Sequence, residues 1–359
     1  MHIKLDTRTL GTALGYAIRG TAARATLPIL GHVLFTCAQD TLRLIGTDLE
    51  LAVSVTLPAP FAEPGALAVP AKTISEIIHA LPPGEVTLST DEQRLTVQAG
   101  KSKYTIGGLP EGEYPMLPTV DGAAVTMAGA DLKAMMHRGA YAVSTDDSRV
   151  ILTGINLVAE ESSLTLVSTD THRLAVISKA GAFPRGSWII PGRAVKEILR
   201  LLDTDPATLL FGENRMSVTV NGVTLVSRLI EGMFPAFQRV VPADATPRCT
   251  VNRVALLTAA KRASIVARAE ANKLILGRDD DLLTIRAATG EVGEASEAIP
   301  ATWHADGQSF GINAEYLLDA CEASGAETLT LAQGTELQPL LITDGDPAWK
   351  SIIMPMQIL

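Results

Sequence analysis

The segment VSTDTHRLAVIS (residues 167–178) decides the fold, because the segment LIGTDLELAVSV (residues 44–55) repeats its pattern earlier in the chain. Both segments place Thr-Asp between two apolar runs, and the aspartates, Asp48 and Asp170, are 122 positions apart. A fixed long spacing between similar segments is typical of a chain built from repeated structural units. The spacing therefore predicts that further copies of the pattern occur along the chain.

Each copy is predicted to be a β-hairpin whose turn contains the aspartate. Leu49, Leu51 and Val53 alternate with polar or small residues, which is the two-residue period of a half-buried strand. A carboxylate in such a turn accepts hydrogen bonds from its own backbone. We therefore interpret Asp48 and Asp170 as turn-forming residues. The second copy alone adds a histidine and an arginine, and an acid, an imidazole and a guanidinium together also fit acid–base or phosphoryl chemistry.

Further copies extend the repeat to three units. Segments beginning at Ala66, Ser187 and Ser309 each predict a strand, a helix of about three turns and another strand. Other helical stretches begin at Asp6, Gly129 and Val251, ahead of the hairpins. The sequence thus predicts an α+β fold of three similar domains, each with two helices packed on antiparallel sheets. We place the domains at residues 1–120, 121–244 and 245–359.

Composition narrows the class of protein. Apolar residues form 47% and charged residues 19% of the 359, a globular balance, and no run is long and apolar enough to span a bilayer. The first residues lack the apolar core of a secretory signal, so we expect a cytoplasmic protein without a membrane partner. Cys37, Cys249 and Cys321 are far apart and the six histidines lack ligand spacing, which predicts reduced thiols, no metal site and no cofactor.

The charge is unevenly distributed. A net charge of −9 argues against a protein that binds nucleic acid by neutralising phosphates over its whole surface. The predicted helices nevertheless sum to +5, which leaves −14 for the rest of the chain. The last helix goes against this trend, because it carries Glu315, Asp319 and Glu322. A basic surface built from the other helices is the expectation.

Five motifs in order along the chain resemble one family. They are TLPILG at Thr26, GTDLEL at Gly46, STDTHRLAV at Ser168, RLIEGMFPAFQRVVP at Arg228 and the terminal IIMPMQIL. Together with the threefold repeat they resemble the bacterial DNA polymerase sliding clamp, the beta subunit of the replicative polymerase. The resemblance implies a non-catalytic processivity factor in which two subunits close a ring around duplex DNA, with helices lining the hole. It implies as partners DNA of any sequence, the replicative polymerase, the clamp loader and other replication and repair proteins carrying a clamp-binding peptide.

The resemblance and the helix charges together give a set of expected DNA contacts. Arg24, Lys72 and Arg193 match positions that approach DNA in the family. The basic residues on the predicted helices add Arg19, Lys133, Arg138, Lys196, Arg200, Lys261 and Arg262. Asp146 and Asp147 depart from the family pattern, because relatives often carry polar or aromatic DNA-contacting groups in that loop.

The resemblance also implies a hydrophobic pocket for a short peptide between the second and third domains. One side is expected from Leu152, Thr169, Thr171, His172, Arg173 and Leu174, with Pro235, Arg239 and Val240 beneath. The other side is expected from Asn313, Tyr316, Pro339, Met354, Pro355 and Met356, and flexible methionines suit a site that binds different ligands. Thr171 replaces a frequent glycine and Gln357 a frequent arginine, which predicts an altered peptide preference.

The ring requires a head-to-tail homodimer, because two chains of three domains close only if the first domain of one meets the third of the other. By resemblance, the strand around Tyr104 and Ile106 extends a sheet across the junction, and a helix bearing Ile265 and Val266 packs against it. Alternatively, Ile265 and Val266 belong to the core of the third domain itself.

Two other classes of protein stay open. An enzyme could use Asp170, His172 and Arg173, but the chain has no GxxxxGK[ST], HExxH or GxSxG motif to supply a phosphate cradle, metal or nucleophile. A repeat-built scaffold that does not bind DNA would keep the pocket and lose the basic helices. Retention on circular but not on linear DNA separates the clamp from both.

Overall fold

The structure is a computed structural model that describes residues 1–22, 27–60, 63–242, 245–290, 292–306, 308–335 and 338–358. Within these residues, no helix is both long and apolar enough to cross a membrane. The chain divides into two compact units, one formed by Met1–Leu132 and Lys196–Leu229, the other by Lys133–Val195 and Ile230–Leu359.

Strands and helices alternate over the first part of the chain. The strands are β1 (His2–Asp6), β2 (His32–Ala38), β3 (Thr41–Thr47), β4 (Leu51–Pro58), β5 (Gly65–Pro70), β6 (Glu85–Asp91), β7 (Arg94–Ala99), β8 (Ser102–Gly107) and β9 (Ala123–Ala128). The helices are α1 (Thr7–Ala17), α2 (Ala71–Ala80) and α3 (Gly129–Gly139).

The pattern continues to the end of the chain. The strands are β10 (Gly154–Glu160), β11 (Ser163–Thr169), β12 (Arg173–Ala180), β13 (Gly186–Pro191), β14 (Pro206–Phe211), β15 (Arg215–Val220), β16 (Val223–Arg228), β17 (Pro247–Asn252), β18 (Lys273–Asp279), β19 (Leu282–Thr289), β20 (Gly293–Trp303), β21 (Phe310–Asn313), β22 (Thr328–Ala332), β23 (Leu340–Thr343) and β24 (Trp349–Ile353). The helices are α4 (Gly192–Leu201), α5 (Arg253–Ala267) and α6 (Ala314–Ala323).

Side chains before three helices fix where those helices begin. The Asp6 carboxylate accepts hydrogen bonds from two backbone N–H groups in the first turn of α1. Asn252 and Asn313 accept equivalent bonds at the starts of α5 and α6. These caps satisfy backbone donors that have no partner inside the helix.

The first unit contains two antiparallel sheets. One has the strand order β1-β6-β7-β8 and the other has the order β5-β2-β3-β4-β16-β15-β14-β9. Helix α1 packs against α2 and against β3 and β4. Leu10, Leu14, Phe35 and Ile74 are fully buried there, and burying such side chains stabilises the fold by about 1.5–3 kcal/mol each.

The second unit is built on one antiparallel sheet of order β13-β10-β11-β12-β24-β23-β22-β17-β20-β19-β18-β21. Helix α5 packs against α6, β19 and β20. Trp349 on β24 is fully buried, and its indole N–H donates to the carbonyl of Arg138 at 3.0 Å. The predicted α+β fold of helices on antiparallel sheets is confirmed. The three domain boundaries stay a prediction.

The turns after β3 and β11 confirm the interpretation of the repeated aspartates. Asp48 Oδ1 accepts the backbone N–H groups of Glu50 and Leu51 at 3.1 and 2.7 Å. Asp170 Oδ1 accepts those of the two equivalent residues, each at 2.9 Å. Both aspartates therefore form turns, as the sequence predicted.

The three cysteines are buried and unpaired, in agreement with the expected thiols. Burial raises the pKa of Cys249 to about 11 and that of Cys321 to about 12. Thiolate is the reactive form of cysteine, so these side chains act as small apolar core residues.

Candidate functional site

An apolar cleft of about 190 Å³ opens beside the Asp170 turn in the second unit. We call it the Arg173 cleft. It is lined by Leu152, Thr169, Thr171, Arg173, Leu174, Pro235, Ala236, Phe237, Val240, Ile352 and Met354. Eight of these residues belong to the predicted pocket, so the structure brings together most of its first side, the two apolar residues beneath it and Met354.

The floor of the Arg173 cleft is the seam between β12 and β24. Leu174 pairs with Ile352 across this seam, and both are buried in a cluster with Val167 and Val176. The backbone N–H of Met354 donates to the carbonyl of His172 at 2.8 Å, which holds the chain after β24 along the rim. The floor is therefore made of paired and buried strand backbone, and concave apolar sites on such a framework are usually largely preformed.

One wall of the cleft is the segment that follows Ile230. Phe234, Phe237 and Val240 pack against the buried cluster of the floor while remaining partly accessible. The short helical turn Phe237–Arg239 begins directly after Ala236, and the backbone N–H of Val240 closes it by donating to the Phe237 carbonyl. Phe237 and Val240 thus form an apolar wall of the cleft.

Arg173 is the only charged side chain lining the cleft, and the described residues around it fix its orientation. Its Nε donates to Asp170 at 3.0 Å, and its Nη1 donates to Asp319 on α6. The guanidinium also lies over the ring of Tyr316, 4.6 Å from the centroid, and over that of Tyr141 at 5.8 Å. Burial opposes its charge, but Asp319 and Asp170 hold the pKa of Arg173 above its usual value.

The remaining predicted pocket residues do not line this cleft. His172 and Tyr316 stack at its margin, with ring centroids 6.4 Å apart and planes inclined by 18°. Asn313 caps α6, and the backbone N–H of Met356 donates to Gly311. Arg239 is exposed on the short helical turn. The set outside the lining is His172, Arg239, Asn313, Tyr316, Pro339, Pro355 and Met356.

Three lining residues were missed by the sequence analysis, namely Ala236, Phe237 and Ile352. Phe237 and Ala236 lie in the motif FPAFQRVVP, where an aromatic residue beside a proline in a loop marks an apolar surface. Ile352 lies in the terminal motif IIMPMQIL and reads as an ordinary core residue of a strand. Only its pairing with Leu174 shows that it forms the floor of a cleft.

Several of the basic residues predicted to face DNA are exposed on helices. Lys133, Lys196 and Lys261 are exposed, and the Lys72 side chain is 89% accessible. Arg193 is also exposed.

Three of the predicted arginines already bind carboxylates. Arg19 and Arg200 both pair with Glu197, at 3.3 and 2.5 Å respectively. Arg262 binds both carboxylate oxygens of Glu297. Arg24 lies outside the described residues.

Arg138 differs from the other predicted DNA contacts. Its side chain is only 18% accessible, and its guanidinium donates to Asp344 and Asp346, each at 2.7 Å. It also lies 5.2 Å from the ring centroid of Trp349. Two carboxylates offset the charge of one guanidinium here, which gives Arg138 a local structural role, and its contact with DNA stays a prediction.

The acidic loop at Asp146 and Asp147 has a local structural role as well. Asp146 accepts the backbone N–H of Ser148 at 3.0 Å and caps the short helix Asp147–Thr153. Its hydrogen bonds with Ser148 lower the pKa of Asp146. The neighbouring Arg149 donates to the Thr171 hydroxyl at 2.9 Å, which connects this loop to the turn beside the Arg173 cleft.

The residues expected at a subunit junction divide into exposed and buried ones. Tyr104 on β8 is 41% accessible and Ile265 on α5 is 63% accessible. Ile106 is buried within its own sheet, and Val266 is half-buried. Ile265 therefore points outward rather than into the core of its own unit.

The described residues contain no group of three or more His, Cys, Asp or Glu side chains arranged to hold a metal ion. Asp170, His172 and Arg173 lie together in one turn, but there the aspartate binds its own backbone and the arginine. These interactions are those of a structural turn.

Comparison with protein families accounts for nearly the whole chain. Models of the DNA polymerase III beta subunit match residues 1–118 as the N-terminal domain, 126–236 as the central domain and 238–357 as the C-terminal domain. The beta sliding clamp of Pseudomonas putida is 30% identical over the full length of both chains. The chain belongs to the family of bacterial beta sliding clamps. The beta sliding clamp of Staphylococcus aureus is 29% identical, over 96% of each chain.

Solved sliding clamps have the same fold. The clamp of Pseudomonas aeruginosa bound to griselimycin has a TM-score of 0.96 at 28% identity, and that of Bacillus subtilis has 0.95 at 25%. Both comparisons cover 100% of each chain. As a beta sliding clamp, the protein is a non-catalytic factor of DNA replication, and the enzyme interpretation of His172 and Arg173 is excluded.

Proposed function

We propose that two copies of this sliding clamp close a ring around duplex DNA and hold the replicative polymerase there through a peptide seated in the Arg173 cleft. The observation that carries the proposal is the cleft itself. A preformed apolar site with one fixed guanidinium is the arrangement that binds a short peptide. Griselimycin bound to the clamp of Pseudomonas aeruginosa supports ligand binding by this family.

The cleft geometry specifies the chemistry of the peptide. Leu174, Val240 and Met354 offer apolar contact for one or two large side chains. The guanidinium of Arg173 lines the same cleft and suits a polar or acidic flank, whereas the Thr169 hydroxyl is already bonded within its own turn. Because Asp170 and Asp319 already bind the arginine, its contribution is orientation and shape more than net charge.

Stacked rings extend the proposed peptide site beyond the cleft lining. His172 and Tyr316 form an exposed to half-buried aromatic margin, and Arg173 connects that margin to the cleft through its contact with Tyr316. We assign to this margin the contact with the end of the peptide that lies outside the cleft.

Exposed lysines on the helices supply the proposed contacts to DNA. Lys72, Lys133, Lys196 and Lys261 are flexible point charges that bind phosphates without reading bases. A ring retains DNA by topology, so weak exchangeable contacts suffice and tight ones would oppose sliding. The net charge of −9 is compatible with this mode, since no phosphate-binding face has to hold DNA alone.

The wider role follows from the same proposal. The three domains at 1–120, 121–244 and 245–359 form half of the ring in each subunit, joined head to tail. A clamp loader opens and closes the ring, and other replication and repair proteins compete for the Arg173 cleft. All these steps take place in the bacterial cytoplasm.

Two measurements test the proposal. The purified clamp is loaded on a nicked plasmid, and its retention is compared before and after a single cut that linearises the DNA. A closed ring slides off the linear form and stays on the circle. Equal retention on both forms would identify a protein that binds DNA without encircling it, and no retention on either would favour a scaffold. Sedimentation checks that the unit is a dimer.

A further inference from the structure

A second cleft, of about 300 Å³, lies in the first unit beside the Asp48 turn. We call it the Arg228 cleft. It is lined by residues of the turn at 47–52, by residues of the segment 115–118 and by Arg215, Val226 and Arg228. None of its residues belongs to the Arg173 cleft or to the expected DNA contacts.

The two clefts are built from the same parts. Thr47 Oγ1 donates to the Leu51 carbonyl at 3.0 Å and accepts from Leu49, as Thr169 does within its own turn. Leu49 and Thr171 both have a φ of 79°. The turns therefore have the same hydrogen bonds and the same φ at the residue that follows the aspartate.

The floor and the wall also correspond. Ala52 pairs with Val226 across the seam of β4 and β16, as Leu174 pairs with Ile352 across β12 and β24. The segment YPMLPTV that contains Pro115 has the position in the first repeat that FPAFQRV has in the second. The Arg228 cleft is thus the repeat copy of the Arg173 cleft.

Its surface has the apolar exposure of a binding site. Met116 is 94% accessible and Leu49 is 50% accessible, and these are among the largest exposed apolar side chains of the described residues. Pro115 and Val226 are half-buried behind them. Exposed apolar groups that converge on a concave surface are typical of interaction sites.

The charges in the Arg228 cleft specify the ligand. Arg215 and Arg228 are cross-strand partners on β15 and β16, and both line the cleft. Glu50 binds Arg228 at 3.1 Å, with both side chains about half accessible, and no carboxylate among the described residues pairs with Arg215. The lining therefore has an excess positive charge next to apolar groups.

We propose that the Arg228 cleft is a second peptide-docking site, which takes a short acidic segment containing aliphatic side chains. The aliphatic groups contact Leu49, Met116 and Val226, and the acidic groups bind Arg215 and displace Glu50 from Arg228. The class of ligand rests on the peptide docking proposed for the Arg173 cleft, but the site and its charge preference do not. Each subunit then binds two partners at once, which raises avidity by tethering.

One methionine in each cleft allows the two sites to be observed separately. The full-length clamp is labelled with ¹³C on its methionine methyl groups, and the signals of Met116 and Met354 are assigned with Met116→Leu and Met354→Leu. The probe is the acetylated and amidated hexapeptide ELLDLE, and the control probe is KLLKLK. The expected result is a saturable shift of the Met116 signal with ELLDLE below about 1 mM and none with KLLKLK.

Charge-reversal variants connect the shift to the arginines. Arg215→Glu together with Arg228→Glu should weaken the binding reported by Met116 at least about tenfold. Arg94→Glu changes an exposed arginine of β7 in the same unit and should leave it unchanged. Leu49→Asn is a second variant that keeps the turn, because asparagine tolerates positive φ, and it should weaken binding by removing apolar contact.

Three results would overturn the proposal. The first is an unmoved Met116 signal, and the second is an equal shift with both peptides. The third is a Met116 signal that shifts when the clamp is concentrated without peptide, if that shift is lost in the double arginine variant. This third result would make the cleft a contact between copies of the clamp. When the Met116 signal is unmoved, a shift of Met354 places the peptide in the Arg173 cleft instead. Failure of the ring proposal is recognised independently, by retention on linearised DNA.

Discussion

Leu49 and Thr171 have the same left-handed φ of 79°, although 122 positions separate them. Each stands directly after an aspartate whose carboxylate accepts two backbone N–H groups of the turn. A residue with a Cβ pays about 1–2 kcal/mol in this conformation, and glycine does not. The repeat has therefore kept a strained turn in both copies, and each turn forms the rim of a cleft.

Glycine at either position should relieve this strain. We expect Leu49→Gly and Thr171→Gly to be about 1 kcal/mol more stable toward unfolding than Leu49→Ala and Thr171→Ala, because alanine removes the same side-chain atoms but keeps the Cβ. The free energies of unfolding are compared by urea titration of each glycine and alanine pair. Alanine variants as stable as the glycine variants would show that the turns are unstrained.

Met354 provides the sharpest test of the Arg173 cleft. Met354 follows β24 and lines the cleft, whereas Met233, in the segment that follows Ile230, is 88% accessible and does not line it. Met354→Ala should weaken binding of a polymerase-derived peptide by about 1–3 kcal/mol, which is about a fivefold to 150-fold rise in Kd, because an apolar anchor is lost. Met233→Ala should bind as the natural chain does. Fluorescence anisotropy with a labelled peptide gives both constants, and equal affinity in the two variants contradicts the proposed site.

The sequence predicts the local features of this cleft and misses those formed by distant strands. The Asp170 turn, the strand at Leu174 and the apolar end of the chain follow from periodicity and turn chemistry, which are local. Ile352 becomes part of the floor only because β24 pairs with β12, a contact between segments far apart in the chain. The pairing of strands across such distances has no signature in one sequence.

Arg138 shows the same limit for charge. Its place on a basic helical stretch predicts a DNA contact, yet Asp344 and Asp346 bind it from a turn more than 200 residues later. The Arg228 cleft is not predicted from the sequence either. The Asp48 turn is recognisable as a copy of the Asp170 turn that has no equivalents of His172 and Arg173, but the arginines that charge the cleft come from β15 and β16.

The Arg138 site makes stability depend on acid. Hydrogen bonding from the Ala348 backbone lowers the pKa of Asp346 despite partial burial, and Arg138 lowers it further. A carboxyl group whose pKa is lower in the folded than in the unfolded state stabilises the fold at pH values above the unfolded-state pKa of about 3.9. This stabilisation is lost as the pH falls through the folded-state pKa. Asp346→Asn should therefore reduce stability at pH 7 and flatten the loss below about pH 4.

Asp306→Asn is the control for this acid dependence, because that side chain is 98% accessible and its pair with Arg278 lies at the surface. Urea unfolding at pH 3, 4, 5 and 7 measures the difference. If Asp346→Asn loses stability in acid as steeply as the natural chain, the Asp346 carboxylate is not among the groups whose protonation unfolds the protein.

Reversing exposed helix charges should weaken the hold on DNA. Changing Lys72, Lys133 and Lys196 to Glu is expected to lower processivity and shorten retention on circular DNA. The loss should be largest at low salt, because high salt screens the phosphate contacts in the natural chain as well. The same reversal at Lys4, Arg94 and Arg185, which are exposed outside the helices, is the control of equal charge. Primer extension on a circular template over a salt series gives the comparison. Equal losses in both triple variants would assign the effect to net charge alone.

The dimer prediction rests on the outward side of α5. Ile265 is 63% accessible and Val266 is half-buried, so an apolar face remains on this helix after its own unit is packed. In a head-to-tail ring, the face meets the edge strand β8 of the other subunit, where Tyr104 is 41% accessible and an unpaired edge would otherwise invite aggregation. Ile265→Lys with Val266→Lys should therefore give a folded monomer, because a lysine pair at the junction places like charges on an apolar contact.

Val254→Lys on the same helix is the matched control, since Val254 is 51% accessible but lies near the start of α5. It should sediment as a dimer. The double variant should keep peptide binding in the Arg173 cleft, because every residue lining that cleft comes from one chain. It should lose retention on circular DNA, because a monomer cannot close around it. Sedimentation of the double variant as an intact dimer would refute this placement of the junction.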